Sequence, residues 1–335
     1  LAQASVLAGA GFSAVSGSSL ATAATMTRVA MPHMRRYGYD DRLSSGVVAA
    51  GGTLGIMIPP SVPLILYGLV AEQDIGKLFV AGMIPGVLLI AVYMGAVWLT
   101  VMRNPEIGPA GEPLSRAEKI SAFLRVWPIL LLFGIVLGGI YFGIFTPTEA
   151  AGIGAGGAGI FALLRGGIRS FGDLSGMLIE ATRTTAILFA VIFGTLVFAN
   201  FINLSGLPYD LLDLTETLGL GSMGLVLAIC VICVLLGMIF ETIGLLLLIV
   251  PVFLPALYGM GVDLIWFGIV MVVVIELGLI TPPIGMNVFT VKSVMPDIAL
   301  GRIFRGVMPF VLADLVALAL ILIFPVIAVG LVGLM

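Results

Sequence analysis

Two short stretches of this sequence combine tandem prolines with glycine and with oxygen-bearing side chains. They read L-G-I-M-I-P-P-S over residues 54–61 and L-G-L-I-T-P-P-I-G over residues 277–285. Proline has no backbone N–H group and disfavours helix in the residue before it. Each stretch therefore predicts an interrupted helix with carbonyl groups that lack intrahelical partners. Inside a membrane, such carbonyls need a cation, water or polar side chains.

Composition indicates that these stretches lie in a membrane protein. The 335 residues are 60% apolar and 10% charged, with a mean hydropathy of +1.23, whereas about a quarter of the residues of soluble domains are charged. The single histidine, His33, excludes a metal cluster built on histidines and disfavours a Ser-His-Asp triad. Cys230 and Cys233 lie in an uncharged apolar run, which favours packing over redox or zinc chemistry.

Most of the chain divides into apolar stretches long enough to cross a bilayer, which takes about 20 residues. We predict membrane spans near 44–71, 78–102, 126–145, 147–164, 184–203, 264–291 and 307–334. Fourteen of the fifteen Lys and Arg residues then fall on one side, the exception being Lys77. Cytoplasmic loops carry an excess of Lys and Arg, so we assign that side to the cytoplasm.

This sidedness requires that two further apolar regions leave the membrane on the side where they entered. Residues 4–32 turn at Ser16-Gly17-Ser18-Ser19, and residues 222–258 are interrupted at Glu241-Thr242-Ile243-Gly244. We predict a helical hairpin in each region, the first entered from inside and the second from outside.

Each hairpin is followed by one interrupted helix, at a similar distance along the chain. Ser16 precedes Pro59 by 43 residues, and Glu241 precedes Pro282 by 41. The two interrupted spans run in opposite directions, which predicts an inverted repeat with a binding site near the middle of the membrane. The alternative is that Pro and Gly merely kink these helices. Symmetry also predicts about three further helices before the first hairpin, so we expect the sequence to be truncated at its N-terminus.

The predicted fold class is an all-α polytopic membrane protein, an inverted-repeat transporter with two helical hairpins and two discontinuous transmembrane helices. The predicted divisions are a first repeat (1–102: hairpin 1–32, broken helix 44–71, helix 78–102), a cytoplasmic linker (103–125), scaffold helices (126–203) and a second repeat (204–335: hairpin 222–258, broken helix 264–291, helix 307–334).

Four strings together resemble one protein family. They are the two proline motifs, S-G-S-S-L-A-T-A-A-T-M at residues 16–26 and G-G-I-Y-F-G-I-F-T-P-T-E-A-A at residues 138–151. The sequence resembles the large membrane (M) subunit of tripartite ATP-independent periplasmic (TRAP) transporters over essentially its whole length. The resemblance implies a sodium-driven importer of organic acids in the bacterial inner membrane, working as an elevator. It also implies two partners, a small membrane (Q) subunit and a periplasmic substrate-binding (P) protein.

The resemblance further implies two sodium sites, each formed by one turn and one interrupted helix. Carbonyl and hydroxyl oxygens suit a hard cation such as Na⁺, although serines at helix breaks can instead satisfy local backbone. The first site would use Ser16, Gly17, Ser18, Ser19, Gly52, Thr53 and Gly55, and the second would use Glu241, Thr242, Gly244, Gly278, Thr281 and Gly285.

An organic acid needs a receptor for its carboxylate, and half-helix N-termini favour anions. The substrate candidates are Ser18, Pro60, Ser61, Pro283 and Asn287. Arg28 is a more distant alternative, and an essential arginine could belong to a missing N-terminal part. Glu241 could also lie in an ordinary loop near the membrane interface, and Glu276 is expected to be structural, bonding another helix.

The predicted chemistry involves Na⁺ as coupling ion, no organic cofactor, no transition metal and no nucleic acid. Besides its protein partners, the chain would contact the lipid bilayer and an organic-acid substrate. One alternative is an ion-coupled carboxylate transporter or exchanger that needs no binding protein, and another is a non-transporting scaffold of a membrane complex. An enzyme is disfavoured because an intramembrane hydrolase needs a nucleophile with a base, and the spans hold no histidine.

Overall fold

The computed structural model of the protein describes residues 1–109, 111, 115–207, 210, 213, 217, 219 and 221–335. Within that part every regular element is a helix, in agreement with the predicted all-α polytopic class. By length and composition, four helices of the described residues can cross a membrane: Ile75–Arg103, Phe171–Ser205, Thr242–Gly259 and Leu300–Ile323. The bent helix Arg116–Tyr141 makes a fifth if it is counted as one span.

The α-helices are numbered in chain order. They are α1 (Ala2–Ser16), α2 (Ser19–Arg36), α3 (Asp41–Gly51), α4 (Val62–Val70), α5 (Ile75–Arg103), α6 (Arg116–Tyr141), α7 (Pro147–Leu164), α8 (Phe171–Ser205), α9 (Ser222–Gly237), α10 (Thr242–Gly259), α11 (Leu264–Ile280), α12 (Met286–Val294), α13 (Leu300–Ile323) and α14 (Val326–Val329). Short 3₁₀ turns occur at Leu54–Ile56, Pro105–Ile107 and Val332–Leu334.

Both predicted hairpins are present as pairs of helices. Helix α1 ends at Ser16 and is capped by Gly17, whose left-handed backbone (φ 65°) lets its N–H group donate to the Ser13 carbonyl. Ser18 caps α2. Glycine adopts this conformation without the steric penalty that a Cβ atom brings. Helices α9 and α10 form the second pair, and Glu241 caps α10.

Both proline motifs interrupt a helix. In the first, α3 ends at Gly51, a 3₁₀ turn follows, and α4 begins only after Ser61. In the second, α11 ends at Ile280 and α12 begins after Gly285. Each tandem proline pair is joined by a cis peptide bond. Below, these segments are called the first break (residues 52–61) and the second break (residues 281–285).

Three helices have ends that differ from those of the predicted segments. Helix α8 begins at Phe171, well before the predicted span 184–203, because Ser170 and Asp173 exchange N-terminal capping hydrogen bonds. Helix α6 begins at Arg116, inside the predicted linker 103–125, where Ser115 and Glu118 form a capping box. The helix within the predicted span 307–334 is shorter than the span, since α13 stops at Ile323, two residues before Pro325. Residues 110 and 112–114 of the predicted linker lie outside the described residues.

The chain forms two compact units. One comprises residues 1–111 and 206–334, and the other residues 112–205. The first unit contains both hairpins and both breaks, and α11 lies at its centre, with every residue but Ile265 buried. A helix that is apolar all round is suited to such a position. Helices α3 and α13 cross so closely that a methyl group on Gly46 would lie 2.2 Å from the Gly306 carbonyl oxygen.

The second unit contains α6, α7 and α8. Trp127 of α6 packs edge-on against Phe161 of α7, with ring centroids 6.2 Å apart. Helix α7 begins with Pro147, and Thr146 and Glu149 form a capping box at its start. This accounts for the T-P-T-E string as a helix start that needs no ligand.

Candidate functional site: two hairpins against two broken helices

The first hairpin packs directly on the first break. The Ser13 hydroxyl donates to the Gly52 carbonyl over 3.0 Å, and a methyl group on Gly55 would lie 2.1 Å from the Ser13 carbonyl carbon. One turn earlier, a methyl group on Gly9 would lie 2.8 Å from the Gly51 carbonyl oxygen. Glycine at these positions therefore allows the two backbones to touch. Ser13, which the sequence analysis missed, is fully buried at this contact.

The turn of the first hairpin satisfies much of its own hydrogen bonding. The Ser16 hydroxyl lies 2.8 Å from the Thr22 hydroxyl, and the Ser18 hydroxyl accepts from the Ala21 N–H group. Ser19 is buried, Ser16 is exposed, and Gly17 lies against Val62 at the start of α4. The structure thus brings this turn to the far end of the first break.

The polar side chains of the first break are buried and partnered. Thr53 donates to the Ala50 carbonyl over 2.8 Å and lies 3.3 Å from the Tyr93 hydroxyl. Ser61 bonds the Ile56 carbonyl and accepts from the Leu64 N–H group, so it caps α4. Pro60, next to it, is half-buried.

The second hairpin meets the second break in a similar way. The Gly285 N–H group donates to the Met238 carbonyl over 3.1 Å, which ties the end of α9 to the start of α12. A methyl group on Gly278 would lie 2.8 Å from the Gly237 Cα atom. Below, Gly9–Gly51 and Gly237–Gly278 are called the two glycine contacts. The Thr281 hydroxyl donates to the Leu277 carbonyl over 2.5 Å.

The other predicted residues of the second sodium site are less uniformly placed. Glu241 is half-buried, and its carboxylate accepts from the Ile243 N–H group over 3.0 Å. Thr242 is buried, and its hydroxyl has no hydrogen-bond partner among the described residues. Gly244 is exposed, with open space where a Cβ atom would lie. The structure thus points Thr242 inward and leaves Gly244 outside the contact.

Asn287 joins the two halves of the site. Its amide nitrogen donates to the Ala49 carbonyl of α3 over 3.0 Å, and its side chain is fully buried. Its amide oxygen has no partner among the described residues. Pro283, by contrast, is exposed. The start of α12 therefore contacts the helix that leads into the first break.

Glu276 does not make the interhelical bond that was expected of it. Both of its carboxyl oxygens are buried without a hydrogen-bond partner among the described residues, so that expectation is wrong. Its helix α11 packs against α13 and α5, which carry two buried polar residues that the sequence analysis missed, Asp314 and Tyr93, joined by a hydrogen bond. Each of these is a single polar group inside an apolar run, which in a membrane segment is itself a sign of function.

The oxygen atoms at the two breaks suit a hard monovalent cation. They belong to carbonyls, hydroxyls and one amide, the ligand types that replace water around such ions in membrane proteins. Two unpartnered buried oxygens are available in the second half, one on Asn287 at the start of α12 and one on Thr242 at the start of α10. At the first break the carbonyls and the serine and threonine hydroxyls are the available ligands. The described residues contain no cluster of three or more His, Cys, Asp or Glu side chains that could hold a metal ion.

Comparison with known proteins gives consistent matches along the chain. Residues 1–327 match the family described as "Tripartite ATP-independent periplasmic transporter, DctM component". The sequence is 36% identical over 332 residues to the C4-dicarboxylate TRAP transporter large permease protein DctM of Pseudomonas aeruginosa, covering 99% of this chain and 77% of that protein.

Two further relatives are named for other compounds. The sequence is 34% identical over 319 residues to the sialic acid TRAP transporter large permease protein SiaM of Vibrio cholerae, covering 94% of this chain and 73% of that protein. It is 32% identical over 308 residues to the 2,3-diketo-L-gulonate TRAP transporter large permease protein YiaN of Escherichia coli, covering 92% and 72%.

Proposed function

Since this chain belongs to the DctM family, the large permeases of TRAP transporters, we propose that it imports a small organic acid together with Na⁺. The family consists of transporter subunits and not of enzymes, and the chain is a multi-pass membrane protein. We place it in the bacterial inner membrane. Its partners would be a small membrane subunit and a periplasmic protein that delivers the acid.

One observation carries this proposal. Each half of the first unit sets a hairpin against a broken helix through a glycine contact, and Asn287 bonds Ala49 between the halves. Breaking two helices removes intrahelical hydrogen bonds, which a scaffold would have no reason to give up. An inverted pair of such breaks supplies carbonyls for cations and half-helix N-termini for an anion.

Na⁺ would bind at each hairpin and break, and the acid between the two sites. At the first site the ligands would be the carbonyls around Gly52 and Gly55, with Thr53 and the turn at Ser16–Ser19. At the second they would come from Thr242, Thr281 and the carbonyls around Gly278 and Gly285. The carboxylate would lie near Ser61 and Asn287, at the N-termini of α4 and α12, where the helix dipole favours negative charge.

The two hairpins and the two broken helices would move as one body during transport, as in an elevator. The close crossing of α3 and α13 and the bond from Asn287 to Ala49 support this rigid movement, because they join the two repeats within one compact unit. The names of the relatives support an organic acid as the substrate class, since they specify a C4-dicarboxylate, sialic acid and a diketo-gulonate.

The test is uptake into proteoliposomes that contain this chain with its small membrane subunit. Radiolabelled succinate, sialic acid and a sugar acid are added outside with the cognate periplasmic protein, and an inward Na⁺ gradient is imposed. We expect uptake of one of these acids, with loss of uptake when choline replaces Na⁺. Uptake that is unchanged without Na⁺ contradicts the coupling, and uptake that needs no periplasmic protein favours the independent carboxylate transporter.

A further inference from the structure

Two acidic side chains are buried together in the first unit. Glu276 lies on α11 and Asp314 on α13, and both are 0% exposed. Helices α11 and α13 pack directly against each other. Both oxygens of Glu276 and the Oδ1 atom of Asp314 have no hydrogen-bond partner among the described residues. Three buried carboxyl oxygens on two adjacent helices thus lack a donor among the described residues.

Among the described residues, the pair has one hydrogen-bond donor and no ion-pair partner. The Tyr93 hydroxyl donates to Asp314 Oδ2 over 3.0 Å, and the Tyr93 ring packs edge-on against Phe310. Neither acid takes part in the ion pairs of the described residues. A buried carboxylate without a partner costs several kcal/mol, so the pair must be neutralised either by protons or by a cation from outside the chain.

Thr53 and Tyr93 make more oxygen–oxygen contacts than their two hydroxyl hydrogens can serve. Thr53 and Tyr93 have one hydroxyl hydrogen each, yet they share three short contacts, to the Ala50 carbonyl, between the two hydroxyls and to Asp314. When Thr53 donates to Ala50 and Tyr93 donates to Asp314, the Tyr93 oxygen still has a free lone pair. That oxygen can act as a further ligand.

We propose that Glu276, Asp314 and Tyr93 form a buried Na⁺ site, additional to the two at the hairpins and breaks. Carboxylate and hydroxyl oxygens are the ligands that hard cations prefer. The ion offsets one of the two negative charges and gives the three unpartnered carboxyl oxygens a common partner. Only the choice of Na⁺ among hard cations rests on the proposed function.

Residues of this site adjoin both breaks. Thr53 belongs to the first break and contacts Tyr93, whereas Glu276 lies on α11 just ahead of the second break. An ion held by Tyr93 and Glu276 would therefore connect α11 to the first break, because Tyr93 contacts Thr53. Its loss would loosen both together.

The test is equilibrium binding of ²²Na⁺ to the purified full chain in detergent, at constant pH and with choline maintaining the ionic strength. We expect the double variant Glu276→Gln/Asp314→Asn to bind one Na⁺ fewer per chain than the unchanged protein. We expect Tyr93→Phe to keep the number of ions and to weaken one of them several-fold. Matched controls are Asp263→Asn, which keeps a good cap on α11, and Glu180→Gln on the exposed face of α8, and both should bind the full number.

An unchanged number of bound ions in the double variant overturns the proposal, because the pair must then be neutralised by protons. Loss of an ion in either control also overturns it. If the double variant does not fold, as judged by thermal unfolding in choline, the single variant Glu276→Gln is expected to lose the same ion. The difference of one ion does not depend on transport, so it can hold even if uptake proves independent of Na⁺.

Discussion

Buried hydroxyl groups differ in their hydrogen bonding between the two halves of the site. Ser13, Thr53 and Ser61 in the first half all have partners, whereas Thr242 in the second half has none among the described residues. A buried polar group without a partner costs about 1–3 kcal/mol. An ion that is coordinated by the Thr242 oxygen would therefore stabilise the second half more than an ion would stabilise the first.

Replacing Thr242 by valine should separate folding from ion binding. The change removes the unpartnered hydroxyl and keeps the shape, so we expect stability without Na⁺ to rise by about 1–3 kcal/mol. We expect the additional stabilisation by Na⁺ to decrease at the same time, since a ligand is lost. Thermal unfolding in choline and in Na⁺ measures both effects.

The matched control is Thr27→Val, at a buried threonine whose hydroxyl donates to the Ala23 carbonyl over 2.6 Å. There the same substitution removes a satisfied hydrogen bond, so we expect stability to fall by about 1 kcal/mol, with an unchanged response to Na⁺. If Thr242→Val lowers stability as the control does, the hydroxyl has a partner in the folded protein.

At the scale of helices, backbone contacts position the hairpins on the breaks. The two glycine contacts occupy equivalent places, each between the first arm of a hairpin and the first part of a broken helix. Gly55 adds a third close approach, to Ser13. The geometry at the breaks therefore depends on the absence of Cβ atoms.

Replacing Gly55 by alanine should force the first hairpin away from the first break. The new methyl group would lie 2.1 Å from atoms of Ser13, and such overpacking costs about 1–3 kcal/mol. Gly95→Ala is the control, since its methyl group meets nothing within 4 Å. Stability is compared by thermal unfolding, and Na⁺ affinity by ²²Na⁺ binding. Equal stability of the two variants would contradict the close contact.

The sequence was sufficient to predict these elements but not their contacts. Tandem prolines and the Ser16–Ser19 turn have local effects, so both hairpins and both breaks could be predicted. The pairing of Asp314 with Glu276 joins helices far apart in sequence, and no local pattern indicates it. The boundaries of α6 and α8 were missed because charged capping residues, not hydropathy, determine where these helices begin.

At the scale of the whole first unit, ion pairs join the two halves. Arg35, near the end of α2, bonds Asp41 at 2.7 Å and Asp297, just before α13, at 2.5 Å. Arg302 bonds Asp40 at 3.0 Å. The hydrogen bond from Arg35 lowers the pKa of Asp297 below its ordinary value.

Replacing Asp297 by asparagine should therefore lower stability slightly, and only at pH values where aspartate is charged. A lowered pKa in the folded state stabilises the protein above the unfolded value, about 4, and this is lost as the pH falls through the folded value. We expect a small decrease in thermal stability at pH 7 that vanishes in acid and in high salt. Glu72→Gln, at a side chain without an ion pair among the described residues, is the control. A decrease that persists in acid would exclude the ion pair as its cause.

The two glycine contacts also have a thermal consequence. Immobilising a buried leucine costs roughly 0.5–1 kcal/mol of rotamer entropy, whereas glycine has no rotamers to lose. If heating opens the contact between a hairpin and its broken helix locally, no side chain gains rotamer freedom at Gly9–Gly51 or Gly237–Gly278. Warming therefore does not weaken these contacts through side-chain disorder, as it would weaken a contact between large apolar residues.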